Sequence, residues 1–265
     1  MMRSVYLKTL YDKRWFMLGW TLGLMAFAAL MTSFYPAMHQ DGALDSLVAN
    51  MPKAFEGLIG SLANLRDFPS YLGSQLFDIR LPIIAGILAI ILGLSLSTSE
   101  EESGELRTLT ALPIGRTKLL IEKWLALVTI MLVTMLGLVA GIYATMPFID
   151  GASIDFVILL RLLLMTWLLM TAYGSVAFAA GMIFGSRGIA NAISIFVIIG
   201  SFLLSTFGQA VDWLEKFEKI SLIHYFPAVE VAKGSIEWKD AGILGLVTII
   251  VLIVAIIAFR RRDIA

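Results

Sequence analysis

Six long stretches of the chain carry almost no group that water can hold. They cover residues 15–35, 81–97, 124–146, 156–184, 189–207 and 241–259, each 17 to 29 residues long with few or no charges. An α-helix crosses the hydrocarbon core of a bilayer in about 20 residues. Runs of this length, apolar on every face, predict six membrane-crossing helices. A soluble arrangement would leave too little polar surface to cover six such helices. The first run is too long for a signal-peptide core and lacks a small-x-small cleavage site, so it reads as a retained anchor.

Between these runs the periodicity changes. In residues 1–14, Met2, Val5, Tyr6, Thr9 and Leu10 recur at helical spacing, with Ser4, Lys8 and Asp12 opposite. This predicts an amphipathic helix lying in the membrane interface. A basic flank with no further role is an equal reading. Residues 36–80 form the first loop on the far side. There Leu44, Leu47, Val48, Met51, Phe55, Leu58, Ile59 and Leu62 keep helical spacing across Pro52, which predicts one or two short amphipathic helices. The last far-side segment, 208–240, repeats the pattern with Trp213, Leu214, Phe217 and Ile220, and Pro227 and Gly234 mark breaks in its return. Three runs contain paired glycines four apart, Gly19/Gly23, Gly137/Gly141 and Gly181/Gly185, a spacing that permits close helix contact in lipid.

Composition agrees with the pattern. Of 265 residues, 59% are hydrophobic and 15% charged, where soluble domains carry about a quarter charged. The formal net charge is zero, so no overall attraction to nucleic acid is implied. The distribution of charge is informative. Residues 1–14, 98–123, 185–188 and 260–265 hold 12 basic residues in 50 positions, against seven in the 87 positions of the other loops. The positive-inside rule then places both termini in the cytoplasm.

Much chemistry is missing. With no cysteine, disulfides, thiolate metal sites and cysteine nucleophiles are excluded. No phosphate-loop motif and no H-E-x-x-H occurs. His39 and His224, the only histidines, are far apart in predicted far-side loops and make no ligand set. Charges deep inside the runs are nearly absent. Arg161 is the exception, and it supports two readings: an arginine snorkelling to headgroups, or a polar contact in a substrate path.

The most polar stretch is "EEESGELRTLTALPIGR", residues 100–116. Glu100, Glu101 and Glu102 suit the positive end of a helix, and Leu106, Leu109 and Leu112 continue as a narrow apolar stripe until Pro113. Spacing predicts a short amphipathic helix at the cytoplasmic surface. Composition and spacing by themselves favour a helix whose charges only keep it solvated.

This run resembles the signature of type-2 ATP-binding-cassette (ABC-2) exporter permeases. In those proteins a glutamate, a glycine and a leucine-rich segment precede a proline, an arginine and a lysine between spans two and three. The matching residues are Glu102, Gly104, Leu106, Leu109, Pro113, Arg116 and Lys123. Glu105 stands where threonine is usual, and Arg107 where an acidic residue is usual. The ending "FRRRDIA", 259–265, is also similar to the family's, as are Pro227 and Gly234, less specifically.

The resemblance implies an all-α integral membrane protein forming one permease domain over 1–265. It would have six transmembrane helices, an N-terminal amphipathic interfacial helix, a cytoplasmic coupling helix between spans two and three, and short external amphipathic or re-entrant helices. The 100–116 helix would meet a separate ATPase through Glu100, Glu101, Glu102, Gly104, Glu105, Arg107, Thr108, Pro113 and Arg116, with Arg161 as a candidate for the substrate path. ATP and magnesium would be bound by ABC ATPase subunits and no cofactor by this chain. A second permease subunit, identical or related, would complete the assembly in the bilayer of the cell membrane, the inner membrane in bacteria. The cargo would be a hydrophobic or amphipathic compound such as a drug, an antibiotic or a lipid. Two other classes stand beside this one: a membrane-embedded enzyme, which would need a polar constellation within the spans, and a non-transporting sensor or assembly component. A co-purifying ATPase separates the first class from the others.

Overall fold

The structure, a computed structural model, describes residues 4–39, 67–104, 115–207, 214 and 216–262. The described residues are helical and form no strand. Among the described residues, six helices are long and apolar enough to cross a membrane: Arg14–Ala37, Phe68–Glu102, Arg116–Phe148, Phe156–Phe184, Arg187–Phe207 and Trp238–Arg261, here spans one to six. The chain is a multi-pass membrane protein.

The spans divide into a core and a rim. In spans two, three and four, 56% of the most apolar window is buried within the bundle, against 17%, 17% and 22% in spans one, five and six. Span one packs along span three, while spans two, five and six each pack against span four. The rim helices turn Leu22, Phe196, Ile199, Leu246 and Ile253 outward, where lipid accommodates them.

Glycine explains the closest crossing. A methyl group on Gly137 or Gly141 of span three would run into the Thr21 or Met25 carbonyl of span one. The two backbones therefore touch, as small residues permit in lipid. The pair on span one itself behaves otherwise. At Gly19 and Gly23 an added methyl meets nothing within 4 Å, so the sequence spacing identified a contact in one case and an open face in the other.

Span two is longer than its apolar run. Residues 68–80 were expected in a far-side loop, but they are helical and belong to the span. Asp67 caps Phe68–Tyr71 by accepting from the Ser70 N–H at 3.1 Å. Leu72–Asp78 then winds as a π-helix before the α-helix Arg80–Ser95. Changing from wide to normal winding leaves a carbonyl without its helical amide. The Arg80 guanidinium supplies donors there, to the Gln75 carbonyl and, at 2.8 Å, to Gln75 Oε1. Two of the polar residues that made this segment look like a loop, Gln75 and Arg80, thus satisfy each other within the bundle.

The last far-side segment dips into the bundle. The Ser221 hydroxyl donates to the Ser201 carbonyl at 2.7 Å, and the Leu222 N–H donates to Ser201 Oγ at 3.3 Å. Ser201 lies six residues before the end of span five, about 9 Å along a helix. The short helix Ala228–Ala232 packs onto the π-helix, where a side chain on Gly73 would strike Ala232 Cβ at 2.7 Å. Phe217 and Ile220 of the expected stripe are exposed instead, and Leu222, Ile223, Phe226 and Val231 carry the burial. Pro227 and Gly234 bracket the short helix as their residue types suggested. The helices expected between 44 and 62 lie outside the described residues, as does Trp213.

Ser4 caps the N-terminal helix Val5–Asp12. Val5 and Thr9 are buried. The Tyr6 N–H donates to Glu122 of span three at 3.1 Å, and its hydroxyl shares a hydrogen bond of 3.2 Å with Thr129. This helix is therefore docked on span three as well as amphipathic. Leu7 and Tyr11 stay exposed on another face, and the Arg14 guanidinium sits 3.8 Å over the Tyr11 ring.

Candidate functional site

Charged side chains converge where span two ends and span three begins. The α-helix of span two stops at Ser95, and after the turn at Leu96 and Ser97 a short helix, Thr98–Glu102, follows. Ser97 and Thr98 are buried, and their hydroxyls donate back to the Gly93 and Leu94 carbonyls at 2.8 and 3.2 Å. Gly181 of span four packs directly on these two residues; any side chain there would overlap Ser97. The base of the short helix is thereby fixed to span four.

Each glutamate of the run meets a base from a different element. Glu100 pairs with Lys123 of span three, whose side chain is 0% exposed and also donates to the Leu96 carbonyl at 3.3 Å. Glu101 pairs with Arg262, just beyond span six. The Arg262 guanidinium donates also to the Met182 carbonyl of span four at 3.0 Å, and the Arg262 carbonyl accepts from Arg116 at 2.6 Å. Glu102 lies 3.6 Å from Arg187 at the start of span five, with both side chains more than half exposed. One run of three carboxylates therefore joins the ends of spans three, four, five and six.

The expected helix from 100 to 112 is corrected in one respect. The segment holding the glutamates ends at Glu102, and Gly104 adopts φ 77, a left-handed conformation that favours glycine. Ser103 and Gly104 therefore break the helical run before the leucine stripe begins. Glu105, Arg107, Thr108 and Pro113 lie outside the described residues. Of the other residues singled out from sequence, Glu100, Glu101, Glu102, Gly104 and Arg116 come together here. Glu100 and Glu101 are turned into the bundle, and Glu102 faces outward.

Arg161 is elsewhere, at the opposite end of span four. Its guanidinium donates to the Gly234 carbonyl at 2.8 Å, and Gly234 has φ 92. It fastens the turn after Ala228–Ala232 to the span. Arg161→Gln should lose this fastening, and Arg161→Lys should keep part of it, since a single ammonium can still reach one carbonyl. The expected effect is about 1 kcal/mol, read as faster proteolysis or hydrogen exchange at residues 228–236. Equal exchange in all three proteins would show that the bond holds nothing.

Arg187 and Arg262 were legible only as basic flanking residues. The available signal was the match of three carboxylates to bases at the ends of other runs, but sequence does not say which pairs with which.

A sequence profile described as "ABC-2 family transporter protein" matches residues 8–264. Comparison with curated proteins gives no match. The profile spans all six membrane helices and the charged junction between the second and third, and on that coverage the chain belongs to the ABC-2 family of transporter proteins.

Proposed function

We propose that this permease subunit exports a hydrophobic or amphipathic compound, such as a drug, an antibiotic or a lipid. In this reading it receives the ATPase's movement through the Thr98–Glu102 helix and the loop after it. The carrying observation is the branching of that junction. A coupling element must be stiff and must bias a larger two-state structure. Here five residues of helix are tied by Glu100, Glu101 and Glu102 to Lys123, Arg262 and Arg187. The Glu102–Arg187 pair is solvent-facing and contributes no more than about 1 kcal/mol. Its carboxylate is therefore readily exchanged to a partner's cation, whereas those of Glu100 and Glu101 are committed inward.

ATP and magnesium are bound by separate ABC ATPase chains, and two permease subunits, identical or related, form the transport unit in the cell membrane, the bacterial inner membrane. The basic end of the bundle is cytoplasmic, in line with the distribution of Lys and Arg. A chain without cysteine makes this directly testable. Single cysteines at Ser4, Ser103 and Ser235 are treated with an impermeant maleimide on intact cells. Only position 235 should label; strong labelling at 103 would invert the topology. The tagged chain, purified from its native cells, should bring an ATP-hydrolysing partner with it, and a purified complex without one would remove the transporter reading.

A further inference from the structure

The residue that gathers most at the basic end is Arg262. Its guanidinium meets Glu101 of the short helix and the Met182 carbonyl of span four, and its carbonyl accepts from Arg116 of span three. The site is shaped for it. Gly185, which ends span four at φ 61, lies directly under the guanidinium, so a side chain on Gly185 would occupy the place Arg262 fills. The pair is well shielded, with the Glu101 and Arg262 side chains 17% and 19% exposed. The second Glu101 oxygen is buried and has no partner among the described residues.

We infer that Arg262 is a positioning residue for coupling, a latch that makes spans four and six follow the short helix. This rests on the coupling role proposed above for Thr98–Glu102. Spans four and six already pack along one another. Beside span two's own packing along span four, that pair meets the short helix and the turn before it through the packing of Gly181 on Ser97 and Thr98, which resists compression but not separation, and through the Arg262 bridge, which resists both. A planar fork suits this task, because its donors to a carboxylate and a carbonyl are held in one rigid plane, whereas a lysine offers rotatable donors on a flexible stem. Movement imposed on Glu101 in either direction is then delivered to the ends of spans four and six.

The test uses the intact complex with its ATPase in proteoliposomes. Single cysteines are placed at Ser103 beside the short helix, at Phe184 at the end of span four, and at Arg260 on span six, all exposed positions. Maleimide labelling rates are compared without nucleotide and with ATP plus vanadate. In the parent, all three rates should change with nucleotide. In Arg262→Gln, position 103 should keep its change, while those at 184 and 260 should shrink about fivefold or more, the lower range of ordinary allosteric coupling. Arg262→Lys should fall between. Glu101→Gln, which removes the ion pair but leaves the bond to Met182, should reproduce the loss if Arg262→Gln fails to assemble. Undiminished changes at 184 and 260 in an assembled Arg262→Gln or Glu101→Gln complex overturn the latch and leave the coupling helix standing. No nucleotide response at 103 in the parent removes the coupling role itself, and the latch with it.

Discussion

Glu100→Ala should destabilise the permease by about 3–5 kcal/mol, the ordinary effect of breaking a buried ion pair on one side. The Lys123 side chain is 0% exposed and Glu100 only 13%. Removing the carboxylate takes the opposite charge from a fully buried ammonium, which is unfavourable in an apolar bundle. The Leu96 carbonyl, at 3.3 Å, compensates only in part. The double replacement Glu100→Leu with Lys123→Met should recover most of the loss, because two apolar side chains of similar volume need no partner. Reversible unfolding in mixed micelles, measured for Glu100→Leu, Lys123→Met and the double variant, reads the difference. If the double variant is no better than either single one, the pair does not hold this junction together.

The second large effect is expected at the crossing of spans one and three. Gly137→Ala and Gly141→Ala should each destabilise by about 1–3 kcal/mol, since a methyl group has no room against the Thr21 and Met25 carbonyls and the helices must separate. The N-terminal helix is docked on span three and precedes span one, so its contacts through Tyr6 should loosen as well. Gly23→Ala provides the contrast. Nothing lies within 4 Å of that added methyl, and alanine is the better helix former by roughly 0.5–1 kcal/mol, so this variant should be neutral or slightly stabilised. Equal losses at positions 23 and 141 would mean that glycine matters here for helix flexibility rather than for contact.

These cases show what the amino-acid sequence made legible. The six spans follow from run length alone, because the bilayer imposes one thickness on all of them. The π-helical start of span two did not follow. Asp67, Gln75, Asp78 and Arg80 gave residues 67–80 the polarity of a loop, yet Arg80 reaches back to Gln75 and Asp67 caps the first turn. Those are local bonds that make polar residues acceptable inside a span, and composition does not distinguish them from solvation. Glycine spacing was similarly ambiguous: it marks where helices can approach, and only the packing decides whether Gly23 or Gly141 is the face used.

The candidate site was half legible. Its location between spans two and three, and the residues Glu100, Glu101, Glu102, Gly104 and Arg116, stood out as a polar run in an apolar chain. Its internal wiring did not, because the partner of Glu101 is 161 positions away. The run looked like a solvated surface or a partner-binding face, and part of it has a different role within the chain. Glu100 and Glu101 hold the membrane bundle together, while Glu102 and Ser103 are exposed.

That division gives the most direct measurement. Cysteines are placed singly at Glu102, Ser103 and Thr108, and the complex with its ATPase is treated with a short bifunctional cross-linker under nucleotide-free, ATP-bound and vanadate-trapped conditions. At least one position should join the permease to the ATPase, with a yield that depends on nucleotide. Absence of any cross-link from all three positions, in a complex that remains assembled throughout, would contradict the account.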